Sequence, residues 1–144
     1  MPFCHVKAQF EDDSACSVYM GSQVVHRKRT FDSPNYACVR VPCTLAQHQA
    51  ALRQAQELCR SGLAFSSVQM YASMMWPSSA ASASGTFCSK LVVDIMQHAG
   101  ILPADILSHK VTPSALHRLA VPLARAPVQA APNQRTCALD FKTR

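Results

Sequence analysis

The chain has 144 residues, 49% of them hydrophobic and 15% charged, the balance of one folded domain rather than of a disordered chain. No apolar run approaches the ~20 residues a membrane-spanning helix needs, and the first residues lack a basic stretch followed by a hydrophobic one, so neither a span nor a secretory signal is expected. The formal net charge of +6 includes one dense basic run, His26-Arg27-Lys28-Arg29, with no phosphate loop, basic helix or aromatic platform beside it, so nucleic acid is not an expected partner. The charge instead biases the surface toward acidic partners.

In chain order, strands come first and helices follow. Phe3 to Phe10 mixes aromatic, valine and polar residues as a strand does, and Glu11-Asp12-Asp13-Ser14 reads as its turn. A second strand is predicted over Cys16 to Met20. A turn at Gly21-Ser22-Gln23 leads to a third, Val24-Val25-His26, fading toward Phe31. After a loop at Asp32 to Asn35, Tyr36 to Val41 reads as a fourth strand that stops at Pro42. Thr44 and Gln47 have capping-box spacing, so a helix starts there, runs to about Arg60 and stops at Gly62. His48 shares one face of it with Leu45, Leu52, Ala55 and Cys59, which reads as packing rather than ligation.

Phe65 to Trp76 is methionine-rich and is predicted as a short buried helix, its methionines filling the core or lining an apolar pocket. Pro77 to Gly85 is a loop of small and polar residues. The next helix opens at Cys88 and ends at Gly100, with Leu91, Val92, Ile95, Met96 and Ala99 on its buried stripe. Thr112 caps a further turn or two, with Pro113 at the first helical position. From Pro122 the sequence lacks periodicity, and residues 122–144 are expected to be a disordered tail behind a domain over 1–121.

Cys88 is the chemically suggestive residue. It lies on the apolar stripe at a helix N-terminus, whose partial positive charge favours thiolate, so it is expected to be the most acidic thiol. The plain alternative is a small core residue that begins a helix. A thiol nucleophile needs an imidazole, and His5, in a strand where histidine is not favoured, is the unusual candidate. The seven cysteines and six histidines form no C-x-x-C pair and no H-E-x-x-H, so no metal and no other cofactor is expected. An odd cysteine count without a regular framework points to reduced thiols inside a cell.

The order F-C-H-V (residues 3–6), a strand meander, a helix, a small-residue loop, T-F-C-S-K-L-V (86–92) and V-T-P-S-A-L (111–116) resembles the circularly permuted papain-like group of the NlpC-like superfamily. That group includes bacterial cysteine amidases and proteins of poxviruses and other large DNA viruses. In it a strand carrying S-H-V comes first, a helix opening F-C-S-E-L-V comes last, and a T-P-S motif often follows. Lecithin:retinol acyltransferase-like proteins share the permuted order, and Val18 to His26 is similar to their second strand pair. The likeness runs from about Phe3 to Leu119, with Lys90 where the group often has Glu.

The resemblance implies an α+β, permuted papain-like (NlpC-like) fold, an antiparallel sheet packed against the helix that carries the cysteine. It implies Cys88 as nucleophile, His5 as general base and the Cys88 backbone N–H as an oxyanion donor. A third polar residue orienting the imidazole is left open among His26, Ser17 and Gln23. The expected function is a cysteine hydrolase that cleaves an amide bond (peptide, isopeptide or lipid-linked) through a thioester, acting on a peptide or acyl-amide substrate in the cytoplasm, or in a host cell if the protein is viral. The alternatives are an inactive interaction protein on the same fold and a thiol acyltransferase acting on lipids. Methionines between Met70 and Met75 facing a groove would favour an acyl chain, and lipid contact, over a peptide.

Overall fold

The computed structural model describes residues 3–28, 35–75, 85–125 and 133–143, with the backbone alone at 72–75. Its strands are β1 (Phe3–Gln9), β2 (Ser14–Ser17), β3 (Val25–Lys28), β4 (Tyr36–Thr44) and β5 (Gln134–Thr143). The helices are α1 (Leu45–Arg60), α2 (Ser67–Met75), α3 (Cys88–His98) and α4 (Pro113–Ala124), with a short 3-10 turn at Ser108–Lys110. The strands form one sheet in the order β3-β2-β1-β5-β4, and every pairing in it is antiparallel. The fold class is therefore α+β.

Period-two alternation puts Val6 and Ala8 of β1, Val39 and Val41 of β4, and Cys137, Leu139 and Phe141 of β5 into the core. Register aligns these apolar rows: Val6 faces Phe141, Ala8 faces Leu139, and Val39 faces Leu139 from the other side. Leu91, Val92, Val93, Ile95 and Met96 of α3 fill the space above them. Helix α3 packs on β1, β2, α1 and α4, so its first residue is held against the middle of the molecule. The capping box at Thr44 and Gln47 forms as the spacing predicts. His48 is buried, and its Nε2 accepts the Glu11 backbone N–H at 3.3 Å.

Five expectations are corrected. Residues 134–143 are not an aperiodic tail: they form β5, the strand between β1 and β4. The domain therefore does not end at 121. Strand β4 continues through Pro42 to Thr44, because it pairs with β5 on one side, and a proline is tolerated where its missing N–H need not serve a ladder. Strand β2 stops at Ser17 instead of Met20, which is largely exposed. Helix α4 is three turns long, with Pro122 inside its last turn. The described side chains of α2, residues 67–71, do not form a buried face: Val68 and Tyr71 are exposed, and among them Gln69 is the buried one. The predicted loop over Pro77 to Gly85 lies outside the described residues except at Gly85.

Among the described residues no helix is long and apolar enough to cross a membrane.

Candidate active site

The approach to Cys88 is fixed by backbone pairing. Ser66 N–H donates to Thr86 O at 2.8 Å and Thr86 N–H to Ala64 O at 3.0 Å, a short parallel bridge that delivers the chain into α3. Gly85 begins this run at φ +104°, and a Cβ there would lie 2.8 Å from Ser66 Cβ and 3.0 Å from Ala64 O. Both the dihedral and the clash demand glycine. Gly85→Ala is expected to cost on the order of 1–3 kcal/mol and to loosen the start of α3. Denaturant unfolding would measure the loss; a variant as stable as the parent would overturn this account of the bridge.

Phe87 takes the N-cap position of α3 in an extended conformation, with no side-chain cap hydrogen bond. In α1 and α4 a threonine hydroxyl caps the first turn. The first N–H groups of α3 are thus left to the sulfur and to whatever sits beside it. Ser89 Oγ donates to Val111 O at 2.5 Å, tying the start of α3 to the segment before α4. Lys90 Nζ donates to Asp94 Oδ2 at 2.7 Å along the helix.

The V-T-P-S motif fastens β1 to the same region. Thr112 Oγ1 accepts the Ala115 N–H as helix cap, and Ser114 Oγ accepts the Phe3 N–H at 2.9 Å. Next to Phe3, the β1–β5 register slips by one residue, from Phe3 opposite Thr143 to His5 opposite Lys142, leaving Cys4 as the extra residue of a bulge. A bulge re-aims the side chain beside it, here His5. The His5 ring stacks on Tyr19 with centroids 4.6 Å apart and planes tilted by 20°.

Cys88 and His5 line one cavity of about 550 Å3. Phe3, Val18, Phe65, Met70 and Phe87 supply apolar wall, and Ser89 and Ser114 reach it from the two helix starts. His5 Nε2 is buried without a hydrogen-bond partner.

Burial, reinforced by the Lys7 and Lys142 charges, pushes the His5 imidazole down to about 4, so the ring is neutral at neutral pH. Burial pushes the Cys88 thiol up from its ordinary value, and the backbone N–H groups of Val6, Ser89 and Cys88 pull it back only in part. The expectation that a helix N-terminus makes Cys88 the most acidic thiol is therefore corrected: desolvation of the anion outweighs the helix end. At rest the site holds a thiol and a neutral imidazole.

His26 does not join them. Register places it opposite Cys16, which is itself opposite Ala8, so it lies two strands away from β1 and three residues farther along than His5. Its Nε2 is 2.8 Å from Ser14 Oγ, which in turn contacts Asp12. Ser17 is buried on β2, and Gln23 bridges to Ala64. Continuing the β1–β2 register past Ser17 brings Tyr19 opposite His5, and Tyr19 is the residue that holds the ring. Tyr19, Ser114 and the Val6 amide do not stand out in the sequence; the alternation Ser17-Val18-Tyr19 is visible there, but its register against β1 is not.

Among the described residues no group of three His, Cys, Asp or Glu side chains could hold a metal ion. Comparison of the chain with models of protein families, with curated proteins and with solved structures finds no match.

Proposed function

We propose that the protein is a cysteine hydrolase of permuted papain-like architecture that cleaves an amide bond whose acyl part is apolar. The observation that carries this reading is Cys88 at an uncapped helix start, in an apolar cavity shared with an imidazole whose Nε2 is buried and unpartnered. In the reaction the Cys88 S–H gives its proton to His5 as the sulfur–carbon bond forms, so thiolate never accumulates at rest. The Cys88 backbone N–H, at the positive end of α3, meets the oxyanion. The C–N bond breaks as His5 returns the proton to the leaving amine, and a thioester remains. Water then attacks the thioester, His5 takes its proton, and the carboxylic acid leaves as the thiol is restored.

Met70 on the cavity wall favours an acyl chain over a polar peptide. The same apolar wall favours a second reading, acyl transfer, in which a lipid acceptor replaces water in the last step. The test is competitive labelling of the intact protein. Because its thiol is buried and raised, Cys88 is expected to react slowly with iodoacetamide, but at least about tenfold faster with a long-chain acyl chloromethyl ketone that the cavity can bind. Labelling of the exposed Cys4 and Cys38 alone, with Cys88 untouched by the long-chain reagent, would overturn the proposal.

A further inference from the structure

The mouth of the cavity carries apolar side chains that nothing in the described chain covers. Met20 and Tyr71, 68% and 57% exposed, line the cavity, and Tyr19, 38% exposed, stands with them. Val68, 74% exposed, lies one turn before Tyr71 on the same face of α2. Helix α2 packs against the Ser108–Lys110 turn, and Leu107 just before that turn is 52% exposed. Among the described residues, three of the six exposed large hydrophobic side chains, Tyr19, Met20 and Tyr71, line this cavity and Val68 lies one turn from Tyr71, so the apolar surface is concentrated at the mouth.

Among the described residues the cavity lining itself carries no acidic side chain, and beyond it stand two lysines and, before Leu107, the exposed Asp105. Lys110 is exposed on the turn beside α2, and Lys142 sits opposite His5. Three of the eight acidic residues, Glu11, Asp12 and Asp13, occupy the β1–β2 turn at the far end of β1. We propose that this face docks on an anionic phospholipid surface, with Met20, Tyr71 and Val68 entering the headgroup region and the cavity mouth against the membrane. Tyrosine and methionine beside lysine suit that interface. The net charge of +6 selects lipid over a second copy of the chain, because it draws the face toward an anionic surface and repels its own kind. The inference rests on the cavity mouth and not on the reaction inside it.

The test is co-sedimentation of the full chain with phosphatidylcholine vesicles, with and without phosphatidylserine. Binding is expected to the phosphatidylserine vesicles and to weaken with salt. Met20→Asp with Tyr71→Asp is expected to weaken it about tenfold or more. Cys88→Ala is expected to bind like the parent, so membrane docking and the hydrolase reading fail separately. Circular dichroism checks that the aspartate pair folds, and Met20→Ser with Tyr71→Ser is the milder second variant if it does not. The proposal is overturned if the parent ignores phosphatidylserine vesicles, or if both pairs bind like the parent. It is equally overturned if the substitutions only convert a dimer to a monomer, which would make this face an interface between copies.

Discussion

Deleting residues 133–144 is expected to abolish folding. The segment contains β5, which pairs with β1 on one side and β4 on the other, so its loss splits the sheet and exposes two new edges. It also removes Cys137, Leu139 and Phe141, all fully buried. Burying side chains of the Leu and Phe class is worth about 1.5–3 kcal/mol each. Leu139 and Phe141 together thus approach the lower end of the ~5–15 kcal/mol that holds a domain folded. The truncated chain should show no cooperative unfolding transition by circular dichroism. Leu139→Ala, a smaller lesion at the same place, should fold but lose about 2–5 kcal/mol in denaturant titration. A truncated chain with a sigmoidal transition near that of the parent would mean that β5 is dispensable.

The strand was missed in the sequence for a physical reason. It follows a stretch with Pro122, Pro127 and Pro132, and Thr136, Asp140 and Lys142 dilute its apolar character. The alternation of Cys137, Leu139 and Phe141 was nonetheless present, as period two requires. By contrast, the α1 capping box and the α3 stripe were legible because each is a local pattern whose partners lie within a few residues. The residue that stacks on the His5 ring was not legible. Which residue of the second or third strand stands beside His5 depends on register, and register is set by pairing across the sheet rather than by any one strand. Tyr19 stands there because Ala8 faces Cys16, and nothing near His5 in the chain encodes that. Helix α2 departs from a buried helix for a related reason: among its described side chains Gln69 is the buried one, Val68 and Tyr71 stand in solvent, and Met70 lines the cavity, the other role open to its methionines. The acidity of Cys88 failed at the level of energetics. Its helix position was readable, but burial, which dominates, depends on the whole fold.

Turnover of a long-chain acyl p-nitroanilide is expected to fall by a factor on the order of 10³ or more in Cys88→Ala and in His5→Ala. The double variant should be little worse than either, because in the proposed mechanism both groups serve one step. The pH profile carries the sharper information. With the His5 imidazole held near 4, the base is already neutral in mild acid, so kcat/KM should rise as pH climbs through about 4 and stay level through neutrality. A rise centred at 6.5, the ordinary value, would show that the ring is not buried as described. Stability follows the same group with the opposite cost. Between 6.5 and 4 the unfolded chain binds a proton that the folded chain refuses, so the His5 contribution is intact above 6.5 and is lost as pH falls to 4. A displacement of that size corresponds to about 3 kcal/mol at the acid limit. His5→Gln should remove that part of the pH dependence while keeping a polar side chain beside Tyr19, and denaturant midpoints of both chains across the window would show it. If the two chains lose stability in parallel, the buried ring carries no such linkage, and the neutral-imidazole mechanism fails with it.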